Sequence, residues 1–398
     1  MKRTLIIPVL LASAFCQAQT QISATDALKL ASQNRPSLAA SRLGVEEARL
    51  SARALSALPP LNLAAGASSR SEVGATDQDL ALTQEIDIFG RRRASGRVGE
   101  ADVQLALARY RKEAGLLQSE VLTAFAIAVS ASHQREVATE LLEVAEGLLN
   151  ATKRRFDEGK VAELQVTRAT IEFERAKQTR ELKDADYQAA MTRLASLLAV
   201  PQGELSVVPD AAIEPVAIPS IMDRPDILEI RAEVAKASAE AGFAKATSRP
   251  EFSLQVVRSP WSNDRGYFVG RAQFSWNLWD HGRARNEVRA ANLRVEAAAK
   301  ALSDATARAE QELAAVQIEL ESRQVRIKSY EAILVSAKDL VVKSQKGFAE
   351  GFGTQVDVLE ATRALREVEQ ELVEARQQLA FAVIKQYEAS GYLVEVLK

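Results

Sequence analysis

After Pro59-Pro60 and again after Arg249-Pro250 the hydrophobic period of the chain becomes two. Leu61, Leu63, Ala65 and Ala67 alternate with Asn62, Ala64, Gly66 and Ser68. Leu80, Leu82, Ile86 and Ile88 alternate with Ala81, Thr83, Glu85 and Asp87, Gln84 being the exception. In the second stretch Phe252, Leu254 and Val256 alternate with Ser253 and Gln255. Phe268, Ala272, Phe274, Trp276 and Leu278 then alternate with Arg271, Gln273, Ser275 and Asn277. Strict alternation puts one residue set on each face of an extended chain, so two β-hairpins are predicted, at 60–89 and 250–280. They turn near 71–77 and 260–266, with strands of about 9 to 12 residues.

Elsewhere the pattern is helical. Ser23 or Thr25 caps a helix beginning Asp26-Ala27-Leu28, which Asn34-Arg35-Pro36 interrupts and which resumes to about Leu58. Asp223-Arg224-Pro225 opens a similar run that ends near Ser248. Long helices are expected over 91–156 and 283–346, where the second run contains neither Gly nor Pro. At ~1.5 Å per residue each extends on the order of 95 Å, more than a globular domain needs. Val288, Val295, Leu302, Ala309 and Val316 recur at heptad spacing with Ala291, Ala298 and Ala305 between them, a coiled-coil-like seam of small side chains. Leu117, Val121, Phe125 and Ala128 form a further stripe. Return helices are expected over 163–198 and 354–389.

These elements occur twice. Gly90 and Gly159 are 69 positions apart, as are Gly282 and Gly351. At a constant offset of 192, Arg91 matches Arg283, Arg93 matches Arg285, Phe156 matches Phe348 and Ala169 matches Ala361. The spacing predicts a tandem duplication, 19–199 and 223–398, joined by a proline-rich connector at 200–222 that lies irregularly on the outside.

Composition narrows the class. A net charge of −2 leaves no global basic surface for nucleic acid, and aromatics are only 5% of the chain. Lys2-Arg3, the short apolar run from Thr4 to Phe15 and the small residues Cys16 and Ala18 predict a signal peptide, 1–18. Lipidation of Cys16 is the competing reading, disfavoured by Phe15 before it. Alternation alone fits a half-buried soluble sheet as well as membrane strands. Export, strand length and the Trp and Phe on the apolar side of the alternation favour the membrane. Four strands cannot close a barrel, so a barrel needs several chains.

Gly-Arg-x-Arg at the strand–helix junctions, the tips Arg155-Phe156-Asp157-Glu158-Gly159 and Phe348-Ala349-Glu350-Gly351, and Val356-Asp357-Val358-Leu359-Glu360-Ala361-Thr362 resemble the TolC family of outer membrane channel proteins. The resemblance spans essentially the whole chain after the leader. It implies an α+β membrane protein built from a tandem-duplicated unit of long helices and a β-hairpin. Four strands per chain would enter a trimeric, twelve-stranded β-barrel, continued by an α-helical barrel. It further implies residence in the cell outer membrane with helices extending into the periplasm. The expected role is the exit duct of a tripartite efflux system, a homotrimer docking to a periplasmic adaptor and an inner membrane pump. Type I protein secretion uses the same duct. From another class, a periplasmic or surface coiled-coil scaffold fits the helices.

The sequence holds no defensible enzyme signature and implies no cofactor or metal. Its two histidines, His133 and His281, lie in different element types. Asp357 and Glu360, at i and i+3, share a helix face. The resemblance places them at a periplasmic constriction, where three chains would form a ring of carboxylates. Adaptor-contact candidates are Arg155, Phe156, Glu158, Gly159 and Lys160 on one tip and Phe348, Glu350, Gly351 and Phe352 on the other. Arg271, sharing its face with Gln273 and Ser275, is expected to point into the barrel lumen. One departure stands out. An intersubunit latch of Tyr, Arg and Asp in relatives corresponds here to Phe348, Gly353 and Gln165, which lack the hydroxyl and the charges. Either closure uses other contacts or the resting tip is looser.

Overall fold

The computed structural model describes residues 20–70, 75–201, 205–208, 213–215, 220–258, 268–277 and 279–394. The leader, the segments 71–74 and 259–267 between paired strands, and Leu278 lie outside the described residues. Strand β1 (Thr20–Ile22) leads to α1 (Ala24–Asn34) and α2 (Pro36–Ser56), followed by β2 (Leu61–Arg70) and β3 (Ala75–Glu85). Helix α3 (Arg91–Asp157) runs back along α4 (Glu163–Leu198). After β4 (Leu205–Val207) and a short 3-10 turn (Ile221–Asp223), the order repeats. It continues with α5 (Pro225–Thr247), β5 (Glu251–Arg258), β6 (Val269–Ser275), α6 (Arg283–Glu350) and α7 (Gln355–Ser390). The fold is a helix-dominated α+β arrangement.

Local chemistry explains the boundaries. Ser23 caps α1 in a reciprocal capping box with Asp26. The break before α2 is one extended residue, Arg35, with Pro36 as the first helical residue, where its missing N–H costs nothing. Gly90 and Gly282 take left-handed conformations, φ +79° and +81°, at the starts of α3 and α6. Asp carboxylates then satisfy the first amides: Asp87 accepts from Arg91 and Arg92 (2.8 and 2.9 Å), and Asp280 from Gly282 and Ala284 (2.9 and 2.8 Å). The two Asp residues are not equivalent in the repeat, so the same cap arose at shifted positions. His281, at the second junction, has φ +53° and accepts a hydrogen bond from the Trp279 indole.

The four long strands form one antiparallel sheet in the order β2-β3-β5-β6, leaving β2 and β6 as open edges. Its register places Leu61, Leu63, Leu80, Leu82, Leu254, Val256, Ala272 and Phe274 on one face. Thr83, Gln255 and Arg271 line up across the other. Gln84 and Arg258 are polar intruders on the apolar face, and the Gln84 amide is held by the Pro59 carbonyl at 2.9 Å. The second hairpin is shorter than its alternation suggests. Strands β5 and β6 have 8 and 7 residues, and pairing ends at Glu251 with Ser275, before Trp276.

The helices make a one-layer wall. Helix α3 packs against α2 and α5 in its upper half and against α4 and α7 in its lower half, whereas α6 packs against α5, α7 and the short 3-10 turn. The heptad seam of α6 is this internal contact: Ala291, Ala309 and Val316 are buried, and Val288, Val295 and Leu302 are half-buried. Gly96 and Gly99 let α2 approach α3 closely, since a Cβ at Gly99 would lie 2.7 Å from the Ala52 Cα. A stretch of α3 is apolar enough, by length and composition, to cross a membrane. Its apolar side chains Leu117, Val121, Phe125 and Ala128 are instead buried in the main core with α1, α4 and α7.

That core includes part of the connector. Strand β4 pairs in parallel with β1, and Leu205 and Val207 join the core beside Ile22. Backbone pairing between segments so distant in sequence leaves no local signal, and three residues are too few to show a period. Buried Gln118 clamps the C-terminal segment, donating to the Tyr392 carbonyl and accepting from the Val394 amide, both at 2.8 Å. Replacing Gly99 by Val should force α2 off α3 and cost about 1–3 kcal/mol by overpacking. Thermal unfolding in detergent checks this, and a Tm equal to that of the wild type contradicts the close contact.

Candidate functional site

The two helix tips are built as C-caps. Gly159 (φ +69°) ends α3, with Lys160 N–H donating to the Arg155 carbonyl at 2.8 Å. Gly351 (φ +88°) ends α6, and both Phe352 and Gly353 donate to the Gly347 carbonyl at 2.9 Å. A Cβ on Gly353 would stand 3.0 Å from the Phe348 nitrogen and 3.1 Å from the Gly347 carbonyl carbon. The turn therefore excludes a side chain at that position unless it shifts.

Helix α7 then starts from a second reciprocal cap. Thr354 Oγ1 accepts from the Asp357 amide at 3.2 Å, and the Asp357 carboxylate accepts from the Thr354 amide at 2.8 Å. The backbone amide and then the hydroxyl of Thr354 hold the Asp357 carboxyl below its ordinary value of 3.8. Asp357 thus has a structural task that the reading of the acidic pair overlooks, although Thr354-Gln355-Val356-Asp357 is a legible capping-box signature. Asp357 and Glu360 are both exposed on the first turns of α7. Arg271 lies opposite Gln255 on the polar face of the sheet.

Among the tip candidates Phe348 requires correction. It is only 4% exposed, packed with Leu148 and Val358 inside the chain's own tip. The Arg155 guanidinium covers its ring at 4.6 Å and donates to its carbonyl, joining the two tips. The seam between repeats carries two further links that the sequence does not announce. Gln355 donates to the Gln165 carbonyl at 2.9 Å, and Arg363 pairs with Glu172 at 3.4 Å. Phe156, Glu158, Gly159, Lys160, Glu350, Gly351 and Phe352 remain exposed, Phe352 at 90%. Glu158 and Lys160 pair at 2.7 Å across the first turn. Phe348 is thus packed inside the tip, Gly353 sits tight against Gly347 and Phe348, and Gln165 is held through its backbone carbonyl. Among the described residues no cluster of three or more His, Cys, Asp or Glu could hold a metal.

Comparison with known proteins decides the family. The model of the outer membrane efflux protein family matches residues 27–200 and 220–391, one stretch in each repeat. The chain belongs to this family. The outer membrane efflux protein is 28% identical over 239 residues to the nickel-cobalt-cadmium resistance protein NccC of Alcaligenes xylosoxydans xylosoxydans, covering 58% of this chain and 54% of that one. It therefore spans about half the length of that relative. Against the cation efflux system protein CusC of Escherichia coli O6:H1 it is 25% identical over 392 residues, 90% of this chain and 83% of the other. A solved CusC structure superposes with a TM-score of 0.77 at 20% identity, covering 93% and 92% of the two chains. The outer-membrane channel OprN gives 0.75 at 21%, covering 92% and 89%. Membership of the family places the efflux protein in the outer membrane.

Truncating Phe348 to Ala should cost this efflux protein about 3–5 kcal/mol of packing at the tip. Limited proteolysis near Gly351 should accelerate accordingly, and an unchanged cleavage rate contradicts the buried role.

Proposed function

We propose that this outer membrane efflux protein is the exit duct of a tripartite efflux system, a passive conduit that docks to a periplasmic adaptor and, through it, to an inner membrane pump. The observation that carries this reading is the bare sheet. Its apolar face is exposed, no described helix packs across either face, and both edges are open. Unpaired backbone groups are intolerable in hydrocarbon, so in a membrane the edges must meet other copies. Three copies of a four-stranded sheet give twelve strands, within the range of outer membrane barrels. The polar face, Arg271 included, then lines the lumen.

The helical wall supports the same assembly. Helix α6 has a free flank carrying Ile318 and Val335, 70% and 71% exposed. At the opposite edge α2 and α4 expose Leu43, Leu50, Leu164 and Leu182. Joining such edges among copies continues the barrel as a tube. Similarity to NccC and CusC, named for metal resistance and cation efflux, favours efflux over protein secretion and puts metal cations among the cargoes of such a system. The exposed Phe156 and Phe352, set among charged neighbours, suit adaptor contact. Phe348, being internal, does not.

Asp357 and Glu360 would line the periplasmic mouth and attract cations there. Because capping lowers the Asp357 pKa, its charge persists to lower pH than that of an ordinary aspartate. In planar bilayers the purified protein should conduct with a cation preference, which Asp357→Ala with Glu360→Ala abolishes. Absence of any conductance contradicts the duct, and unchanged selectivity in the double variant contradicts the constriction.

A further inference from the structure

At the foot of the sheet a cleft of about 590 Å³ opens between the start of α3 and the end of α5. It is lined by Arg92, Arg93, Arg97, Lys245 and Arg249, and the one acid in its wall is Asp87. Asp87 already accepts from the first amides of α3, and its single negative charge is outnumbered by the five cations of the wall. Arg249 donates to the Phe89 carbonyl at 2.8 Å. Among the described residues Arg92, Arg93, Arg97 and Lys245 have no carboxylate partner. Arg91 is set apart from them by its ion pair with Glu251.

The side on which the cleft opens identifies its occupant. Phe89, in its wall, meets Phe274 edge to face at 6.1 Å, and Phe274 belongs to the apolar face of the sheet. On α3, Arg93 and Arg97 are one turn apart. The opposite side of that helix, Arg91 and Ser95, borders the space under the polar face with Thr83, Gln255 and Gln273, while Phe89 and Arg92 stand between the two spaces. The basic cleft therefore continues the apolar surface, away from the polar one. Trp276 and Trp279, the latter 81% exposed, follow β6 at the second strand–helix junction, and aromatic rings of this kind mark the boundary between hydrocarbon and headgroups. Cations directly beneath such a boundary face lipid phosphates, which arginine forks bind bidentately.

We propose that this cleft binds the headgroup phosphate of an anionic glycerophospholipid in the periplasm-facing leaflet, fixing the depth of the barrel. The site rests on the membrane reading of the sheet given above, and the experiment separates the two. Native mass spectrometry of the full-length assembly, released from detergent with phosphatidylglycerol or phosphatidylcholine, measures lipid retention. Wild-type protein should retain phosphatidylglycerol about tenfold or more over phosphatidylcholine. Arg93→Gln with Arg97→Gln and Lys245→Gln should erase that preference, and Arg93→Lys with Arg97→Lys should keep most of it. Equal retention of the two lipids by the wild type overturns the site, whether or not the Gln variant folds. So does a Gln variant that retains phosphatidylglycerol normally, or displacement of the lipid by millimolar inorganic phosphate, which indicates a small-anion site. In a Trp261→Phe background, brominated acyl chains in neutral vesicles should quench Trp276 and Trp279. No quenching defeats the membrane reading and the cleft with it, whereas quenching without headgroup preference defeats the cleft alone.

Discussion

Backbone hydrogen bonding at the two edges of one sheet is the constraint on which this structure depends. Strands β2 and β6 each present a row of amides and carbonyls that no further described strand pairs. In water such edges invite aggregation; in hydrocarbon they are untenable, each lone group costing several kcal/mol. A soluble protein would cover the edges or shorten them. This chain does neither, and it leaves the apolar face bare as well. The sheet is complete only as part of a closed ring, and membership of the outer membrane efflux protein family is consistent with that requirement.

The helices follow from the same logic at larger scale. A helix of 67 or 68 residues cannot be stabilised by its own backbone or by one compact core. It needs side-by-side contact along its length, and small residues make that contact close. Gly96 and Gly99 bring α2 onto α3, while the alanine-rich seam of α6 meets α5 above and α7 below. The one thick core lies at mid-height, where α1, β1, β4 and the end of α7 gather around Phe125 and Leu194. The tips are held differently, by directional contacts such as Arg155 on Phe348 and Gln355 on Gln165. Beside them only a small apolar cluster, Leu148, Phe348 and Val358, is buried there.

How much of this could be read beforehand depended on whether the signal was local. Period-two runs after Pro60 and Pro250, long stretches without helix breakers and the Gly-punctuated tips all act within a few residues, and the helix-dominated α+β class follows from them. The pairing of β1 with β4 was invisible because it joins Thr20 to Leu205 across most of a repeat with three residues a side. Phe348 was misplaced for a related reason. An aromatic residue in a turn motif looks exposed until Arg155, from the other repeat, is seen to cover it. Asp357 shows the reverse case, a charge whose capping task was legible in Thr354 three positions earlier but was overshadowed by its place in an acidic pair. The sheet register, by contrast, put the alternating apolar residues that pair within it on one face, because a slip by one position would invert the whole set.

Closure of the sheet by neighbouring copies can be tested with cysteines on its two open edges. In a Cys16→Ser background, Ala65→Cys on β2 would be combined with single cysteines stepped along β6 from Val269 to Ser275. At the paired register, oxidation in outer membranes should give covalent species up to a trimer and none larger. Monomers at every position, or a ladder that continues past three, would contradict the closed ring.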